Sequence, residues 1–330
     1  MRVSRPNRRI CPSLMTLVAV VAAVAPVVPA RAVIILTQTG SGNTTAPADD
    51  PGFANVGYAY TGHGTAIYLG EGWVLTCNHV GGTGIVLASG TYLKAEGPGT
   101  GFSLVNTTPG TNTYTDLYMF KLATQPVGLP TLSIASSMPD IGAPVTMIGG
   151  GLDRGAFEQW TVTTSTTGPW TWTPVESGGN AAGFGTLGTR AIRWGTNNIS
   201  DKDFWVQEYY GSGTNDYYEI KSLATTFNGT GPATEAQAVL YDSGGAVFTK
   251  VGGQWQLAGV MYAAVGYPDQ PSPLFNAVFG DETWIADLSY YRPQIVAATP
   301  EPSAAILAAL GVSGLVASRL AARRRRRSRP

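Results

Sequence analysis

Between residues 50 and 280 the apolar residues rarely recur at the three-and-four spacing of a helix. Short runs rich in Val, Ile, Thr, Tyr and Trp stand instead between clusters of Gly, Pro, Asn and Asp. Such runs read as half-buried strands separated by turns, so the pattern predicts an all-β chain. GTAIYL and WVLTC flank Gly70-Glu71-Gly72 and read as a hairpin with a three-residue turn. TDLYMFKL, APVTMIGG, QAVLY, AVFTKV and QLAGVMYAAV are further strands. WTVTTSTTGPWTWT alternates at period two around Gly168-Pro169 and reads as another hairpin, its aromatics assigned to packing within a barrel ahead of sugar binding. ETWIADLSYY, from Glu282, is the one convincing short helix. The Pro- and Ser-rich stretch TQPVGLPTLSIASSMPD, residues 124–140, connects two β halves, and residues 40–52 read as a mobile arm.

The ends of the chain differ from the middle. Residues 1–32 begin with Arg2, Arg5, Arg8 and Arg9, continue through LMTLVAVVAAVAPVV and close with Ala30-Arg31-Ala32. A basic start, an apolar run and a small-x-small ending describe a secretory signal peptide, a substrate for signal peptidase. The competing reading is a membrane helix, but the run is short and broken by Pro26 and Pro29. At the other end Pro300-Glu301-Pro302 precedes an apolar segment and the arginine run Arg323 to Arg327. This tail resembles the PEP-CTERM sorting signal of Gram-negative bacteria; an ordinary tail anchor is the alternative. The resemblance implies removal by an exosortase-type transpeptidase, transient or tail-anchored membrane association, and delivery to the cell surface, outer membrane or extracellular matrix.

Without its ends the chain is acidic. Residues 33–299 carry nine Lys and Arg against twenty Asp and Glu, a net charge of −11. That excludes the basic footprint of a nucleic-acid binder. Cys11 falls in the leader, so Cys77 is the one cysteine left and no internal disulfide is possible. Stability then rests on a hydrophobic core, which a segment of this length can build.

Candidate chemistry is easy to enumerate because the chain has only two histidines, His63 and His79. No HExxH and no Cys/His cluster occurs, so there is no support for a zinc site, and no cofactor or metal is called for. His79 closes WVLTCNH, Asp116 opens TDLYMFKL, and Ser243 follows an apolar run and precedes two glycines. A serine hydroxyl at neutral pH needs an adjacent base, and that base needs an orienting carboxylate. The order His, Asp, Ser, with Tyr241 where G-x-S-x-G would place its first glycine, excludes the α/β-hydrolase elbow. His63 belongs near the histidine segment, without an assigned role.

WVLTCNHV is similar to the histidine segment of trypsin-like (chymotrypsin-fold) serine proteases, TDLYMFKL to their aspartate segment, and YDSGGAVF to their G-D-S-G-G-P segment. QLAGVMYAA resembles the strand lining the substrate cleft, and ETWI the start of the C-terminal helix. The resemblance runs in order from about residue 55 to 290. It implies two antiparallel six-stranded β-barrels with a short C-terminal helix and a triad in the cleft between them. The implied divisions are an N-terminal arm over 33–52, a first barrel over 53–125, a connection over 126–140, a second barrel with the helix over 141–295, and the sorting segment over 296–330. His79 would be the general base and then acid, Asp116 its orienting carboxylate, and Ser243 the nucleophile that forms an acyl-enzyme with a protein or peptide substrate. The Tyr241 and Ser243 N–H groups would form the oxyanion hole, and Asp242 would be the buried carboxylate that shapes that loop. Gln237 would lie at the base of the primary specificity pocket, where a neutral amide gives no partner for Lys or Arg. Tyr262, Ala263 and Ala264 would pair with substrate backbone.

The sequence departs from that pattern at three places. Val80 replaces the cysteine that follows the histidine, and the Ile-Val-Gly-Gly start is missing. Cleavage after Ala32 would expose Val33-Ile34, whose amine could pair with Asp242; a bacterial branch without such a pair is the alternative. Tyr241 replaces the oxyanion-loop glycine, and a turn requiring φ > 0 there would cost on the order of 1–3 kcal/mol. The sequence therefore supports a restricted serine endopeptidase, with a catalytically impaired extracellular binding or matrix protein as the second reading.

Overall fold

The computed structural model describes residues 33–36, 42–210, 216–271 and 276–299. The leader, residues 1–32, and residues 300–330 of the sorting segment lie outside the described residues. No helix among the described residues is long and apolar enough to cross a membrane.

A short strand β1 (Ile34–Ile35) precedes the first β body. That body comprises β2 (Val56–Ala59), β3 (Thr65–Gly70), β4 (Trp73–Thr76), β5 (Gly84–Leu87), β6 (Gly90–Leu93), β7 (Gly101–Val105) and β8 (Tyr114–Lys121). They form one antiparallel sheet in the order β6-β5-β2-β3-β4-β8-β7. β3 and β4 are buried along their whole length, which explains their continuous apolar runs. The polar edge strand β6 is largely exposed. The sheet curls until Lys94 bridges Leu122, with Ala95 N–H donating to Lys121 O and Ala123 N–H to Leu93 O. The first body is thus the barrel-like antiparallel sheet expected, rolled until the ends of β6 and β8 meet, with β7 as a seventh strand at the edge.

The second body holds β9 (Pro144–Gly149), β10 (Leu152–Thr163), β11 (Thr171–Val175), β12 (Ala181–Arg190), β13 (Arg193–Tyr209), β14 (Tyr217–Thr226), β15 (Ala236–Gln237), β16 (Gly245–Val251), β17 (Gln254–Val265), β18 (Ala277–Val278) and β19 (Glu282–Asp287). Six of these close a barrel in the order β13-β14-β19-β17-β16-β9. Its interior is filled by Val145, Met147, Leu223, Val247, Met261 and Ile285, all buried. β11-β10-β12-β18 form a separate four-stranded sheet. The Trp-rich hairpin belongs to that sheet, with Thr163 opposite Thr171, and its aromatics pack outside the barrel. Trp160 is buried there against half-buried Trp172.

Two further expectations change. ETWIAD is strand β19, and the helix α1 (Leu288–Ala298) begins only after it. Thr283 and Ile285 pair with both β14 and β17 to close the barrel, so pairing overrides the mixed local propensity. Asp287 then caps α1 by accepting from Ser289 N–H at 2.9 Å. The arm over 42–52 lies along the second body: Trp194 N–H donates to Asn43 O, Asn43 Nδ2 donates to Trp194 O, and Asp49 bonds Lys250 and Trp255.

One continuous core spans both bodies, joining Ile67, Leu75 and Phe120 to Phe248, Val260 and Tyr262. α1 returns to the first body, where Gln294 exchanges hydrogen bonds with the Val105 backbone and Tyr291 shares one with Thr115 at 3.0 Å. These contacts fix the end of β8 on which Asp116 sits.

Candidate active site

β4 runs antiparallel to β8, with Thr76 opposite Tyr118, and ends in a tight turn closed by Gly81 N–H onto Cys77 O. Asn78, in that turn, donates from Nδ2 to Thr115 O at 2.7 Å and Leu117 O at 3.1 Å. It thereby clamps the backbone on both sides of Asp116. The next residue, His79, donates its backbone N–H to Asp116 Oδ1 at 3.0 Å and shares Nδ1 with Asp116 Oδ2 at 2.6 Å. Asp116 is fully buried, whereas the His79 side chain is 35% exposed.

A carboxylate on Nδ1 holds the neutral ring with its proton there and leaves Nε2 as the base. Burial alone would lower the His79 pKa, but the hydrogen bond and charge of Asp116, with the charge of Glu208, outweigh it and raise the value above 6.5. The base is lost by protonation, so the acid limb of any His79-dependent rate should lie above that ordinary value. A pH profile of kcat/KM measures it, and a limb at or below 6.5 would contradict the arrangement.

Ser243 stands on the loop between β15 and β16. Gly244, at φ +86, lies so close to β3 that a Cβ would meet Thr65 O at 1.9 Å, so only glycine fits. Ser243 O accepts from Thr65 N–H, and Gly244 N–H donates to Met261 O, both at 2.8 Å. These bonds seat the loop between the two bodies. Ser243 Oγ donates to Tyr262 O at 3.2 Å. Buried Cys77 links the loop to the His79 side: its Sγ donates to Met261 O at 3.6 Å, and Cys77, His79 and Asp116 each place an atom within 4.8 Å of the others. Burial pushes the Cys77 thiol up, which keeps it protonated.

Tyr241 adopts φ +76, the left-handed region its replacement of glycine made suspect. Several contacts hold it there. Its carbonyl accepts from Thr65 Oγ1 at 3.0 Å, and Thr65 Oγ1 accepts in turn from Gly150 N–H at 2.9 Å. The Arg190 guanidinium covers the ring at 4.7 Å while donating to Gly150 O at 2.6 Å and Gly64 O at 3.1 Å. His63 lies against the same ring at 5.6 Å. A cation over an aromatic face is worth about 0.5–2 kcal/mol, comparable to the cost of the strained φ.

The hydrogen bonds of this loop are selective. Asp242 N–H donates to Val239 O, Gly244 N–H to Met261 O and Gly245 N–H to Asp242 O. Within residues 241–245 only the Tyr241 and Ser243 N–H groups have no acceptor among the described residues. The carbonyls sharing their peptide planes are taken: Leu240 O by Leu152 N–H at 3.0 Å and Asp242 O by Gly245 N–H at 2.8 Å. A trans peptide turns N–H away from its carbonyl, so both N–H groups face away from those partners.

Asp242 is fully buried, accepting from Gly151 N–H at 2.7 Å, from Val239 N–H at 2.9 Å and from the backbone N–H of Val33. A Cβ on Gly151 would meet Asp242 Oδ2 at 2.4 Å, so the glycine makes room for the carboxyl. Burial pushes the Asp242 pKa up to about 7 despite these bonds and the nearby Arg190 charge. β1 is threaded beside β15, with Ile34 opposite Gln237, and Val33 is fully buried.

Gln237 is buried with both ends of its amide used, Nε2 donating to Glu282 O at 2.9 Å and Oε1 accepting from Thr283 Oγ1 at 3.1 Å. It offers bulk but no free polar group. Tyr262 is buried, its hydroxyl bonded to Ser222 at 2.8 Å. Beyond Met261, β17 pairs among the described residues only with β19, which leaves half-buried Ala263 and Ala264 an edge unpaired by them. Thr65, Arg190 and Glu208 bear on the site without having been foreseen, because each stands far from the motifs in sequence.

No family model matches the chain, and no curated protein matches its sequence. Among solved structures it is similar to the protease Rv3671c of M. tuberculosis in its active form, at 14% identity and a TM-score of 0.37, covering 74% of this chain and 80% of that one. Kallikrein-related peptidase 10 is similar at 13% identity and a TM-score of 0.41, covering 78% of this chain and 98% of that one. At these values the likeness carries no argument about chemistry, which rests on the residues above.

Proposed function

We propose that the chain is an exported serine endopeptidase, with Ser243 as nucleophile, His79 as general base and acid, and Asp116 as the residue orienting His79. The observation that carries this reading is a buried carboxylate on His79 Nδ1, in a site whose serine loop leaves two N–H groups without acceptors. Ser243 attacks the scissile carbonyl and gives its proton to His79 Nε2. The Tyr241 and Ser243 N–H groups bind the developing oxyanion, each worth about 10²–10³ in rate. His79 then protonates the leaving amine, and water resolves the acyl-enzyme. The unpaired edge at Ala263 and Ala264 takes the substrate backbone as an added strand. Mass spectrometry of a digested unfolded protein tests this reading: cleavage without preference for Lys or Arg supports it, and no cleavage by a folded sample overturns it.

The second reading, a binding or matrix protein, draws on Ser243 Oγ donating to Tyr262 O. The strain at Tyr241 bears on the choice. Tyr241→Gly relieves the φ and opens the space around the serine, so kcat/KM on a peptide anilide should rise several-fold with Tm shifted by only a few degrees. An unchanged rate in an already fast enzyme would show that Tyr241 does not restrain the site.

Export and activation join in the same reading. Cleavage after Ala32 would make Val33 N an ammonium at the position where it now meets Asp242. In this reading the leader and tail would direct the protein, through signal peptidase and an exosortase-type enzyme, to the cell surface, outer membrane or matrix.

A further inference from the structure

β13 and β14 are longer than the barrel requires. β13 pairs with β9 only through Arg193–Asn198, and β14 with β19 only through Ser222–Thr226. Over Trp205–Tyr209 and Tyr217–Lys221 the two strands pair, among the described residues, with each other alone and form an arm. The arm lies on the first body: Asn106 Nδ2 donates to Glu219 O and Asn112 Nδ2 to Tyr217 O, both at 2.7 Å. Trp205 packs edge-on against Tyr290 of α1 at 5.4 Å, and Val206 and Ile220 are buried in the common core.

This docking brings Glu208 onto Asp116. The Glu208 carboxyl lies near enough to the Asp116 carboxyl to feel it directly, and its Oε2 is sealed from solvent with no hydrogen-bond partner among the described residues. The ionisable groups facing it are Asp116 from β8, His79 and Cys77 from the turn after β4, Tyr218 from β14 and Tyr262 from β17. Only His79 among them can carry positive charge. Burial beside the negative charge of Asp116 favours the neutral form of the Glu208 carboxyl.

Resting on the proposed protease site, we infer that Glu208 is a positioning residue: its protonated carboxyl donates to Asp116, and its ionisation sets the pH at which His79 becomes a base. Burial first, and the Asp116 charge second, push the Glu208 pKa up to about 7, with His79 acting in the opposite sense. Below that value Glu208 is neutral and supports the Asp116 carboxylate. Above it a second negative charge stands beside the imidazole and holds its proton. Glu208 therefore moves the titration of His79 upward.

The test is an NMR titration of the histidine ring protons in the full chain. Only two histidines exist, so His63→Asn assigns both signals. Glu208→Gln keeps a donor to Asp116 and removes the charge; it should lower the His79 midpoint by about half a unit or more and leave His63 in place. Glu208→Ala, checked for an unchanged melting temperature, should lower kcat with KM little changed, and Glu208→Gln should largely restore it. An unmoved His79 midpoint in a folded Glu208→Gln protein overturns the inference. The titration does not depend on turnover, so an inactive wild type with a moved midpoint would overturn the protease reading and leave the Glu208 linkage standing.

Discussion

Ser243→Ala should lower peptide hydrolysis by about 10⁴–10⁶-fold, and His79→Ala by a similar factor. The two losses should not add, because the hydroxyl is a nucleophile only while Nε2 takes its proton. Both substitutions are structurally mild. Ser243 Oγ makes one hydrogen bond, to Tyr262 O, and the His79 ring is partly exposed. The double variant should therefore retain about the rate of either single one, in a protein with an unchanged melting curve. Steady-state kinetics on one anilide substrate measures all three. Additive losses would mean that serine and histidine act in separate sites.

The second large effect lies at Val33. A chain starting at Val33 should be about ten- to a hundredfold more active than one carrying extra residues before it, an ordering of the serine loop by about 1.4–3 kcal/mol. The reason is the Asp242 carboxyl, which is buried and receives only neutral N–H donors from Val33, Gly151 and Val239. Its folded pKa of about 7 stands well above the ordinary 3.8. Between those values the unfolded chain releases a proton that the folded chain keeps, so the extended form loses stability as pH rises from about 4 to 7. An ammonium on Val33 favours the ionised carboxyl and removes that loss. The stability gap between the two forms should widen across this window, as denaturant melts at several pH values will show. Equal activity and parallel pH profiles would assign β1 a packing role alone.

Much of the site was legible because its side chains hang on strongly patterned strands. WVLT and YTDLYMFK are neighbours in one sheet, and that pairing delivers the turn after β4, with Asn78 and His79, to Asp116. The apolar run QAVLY was read too far. Only Ala236–Gln237 pair as strand, because Val239 and Leu240 turn to wrap the Asp242 carboxyl and bond Leu152. Glu282–Asp287 was read as helix because its mixed propensities are settled by two barrel partners that no local window contains. Glu208 was out of reach for another reason. It lies in the polar run SDKDFWVQEYY, which resembles any exposed strand, and only the docking of the β13–β14 arm turns that residue inward.

The positive φ of Tyr241 was foreseen as a cost, but its compensation was not. Arg190 is separated from the DSGG motif in sequence, yet its guanidinium lies on the Tyr241 ring and ties the loop to Gly64 and Gly150. Such a clamp fixes a strained residue only while both sides stay packed.

Labelling of residues 33–299 with a fluorophosphonate, followed by intact mass and peptide mapping, asks whether the serine is activated at all. A single adduct on Ser243 that disappears in His79→Ala is the outcome required of a working nucleophile. A well-folded protein that takes no label, or takes it elsewhere, would contradict the protease reading and make the cleft a binding site.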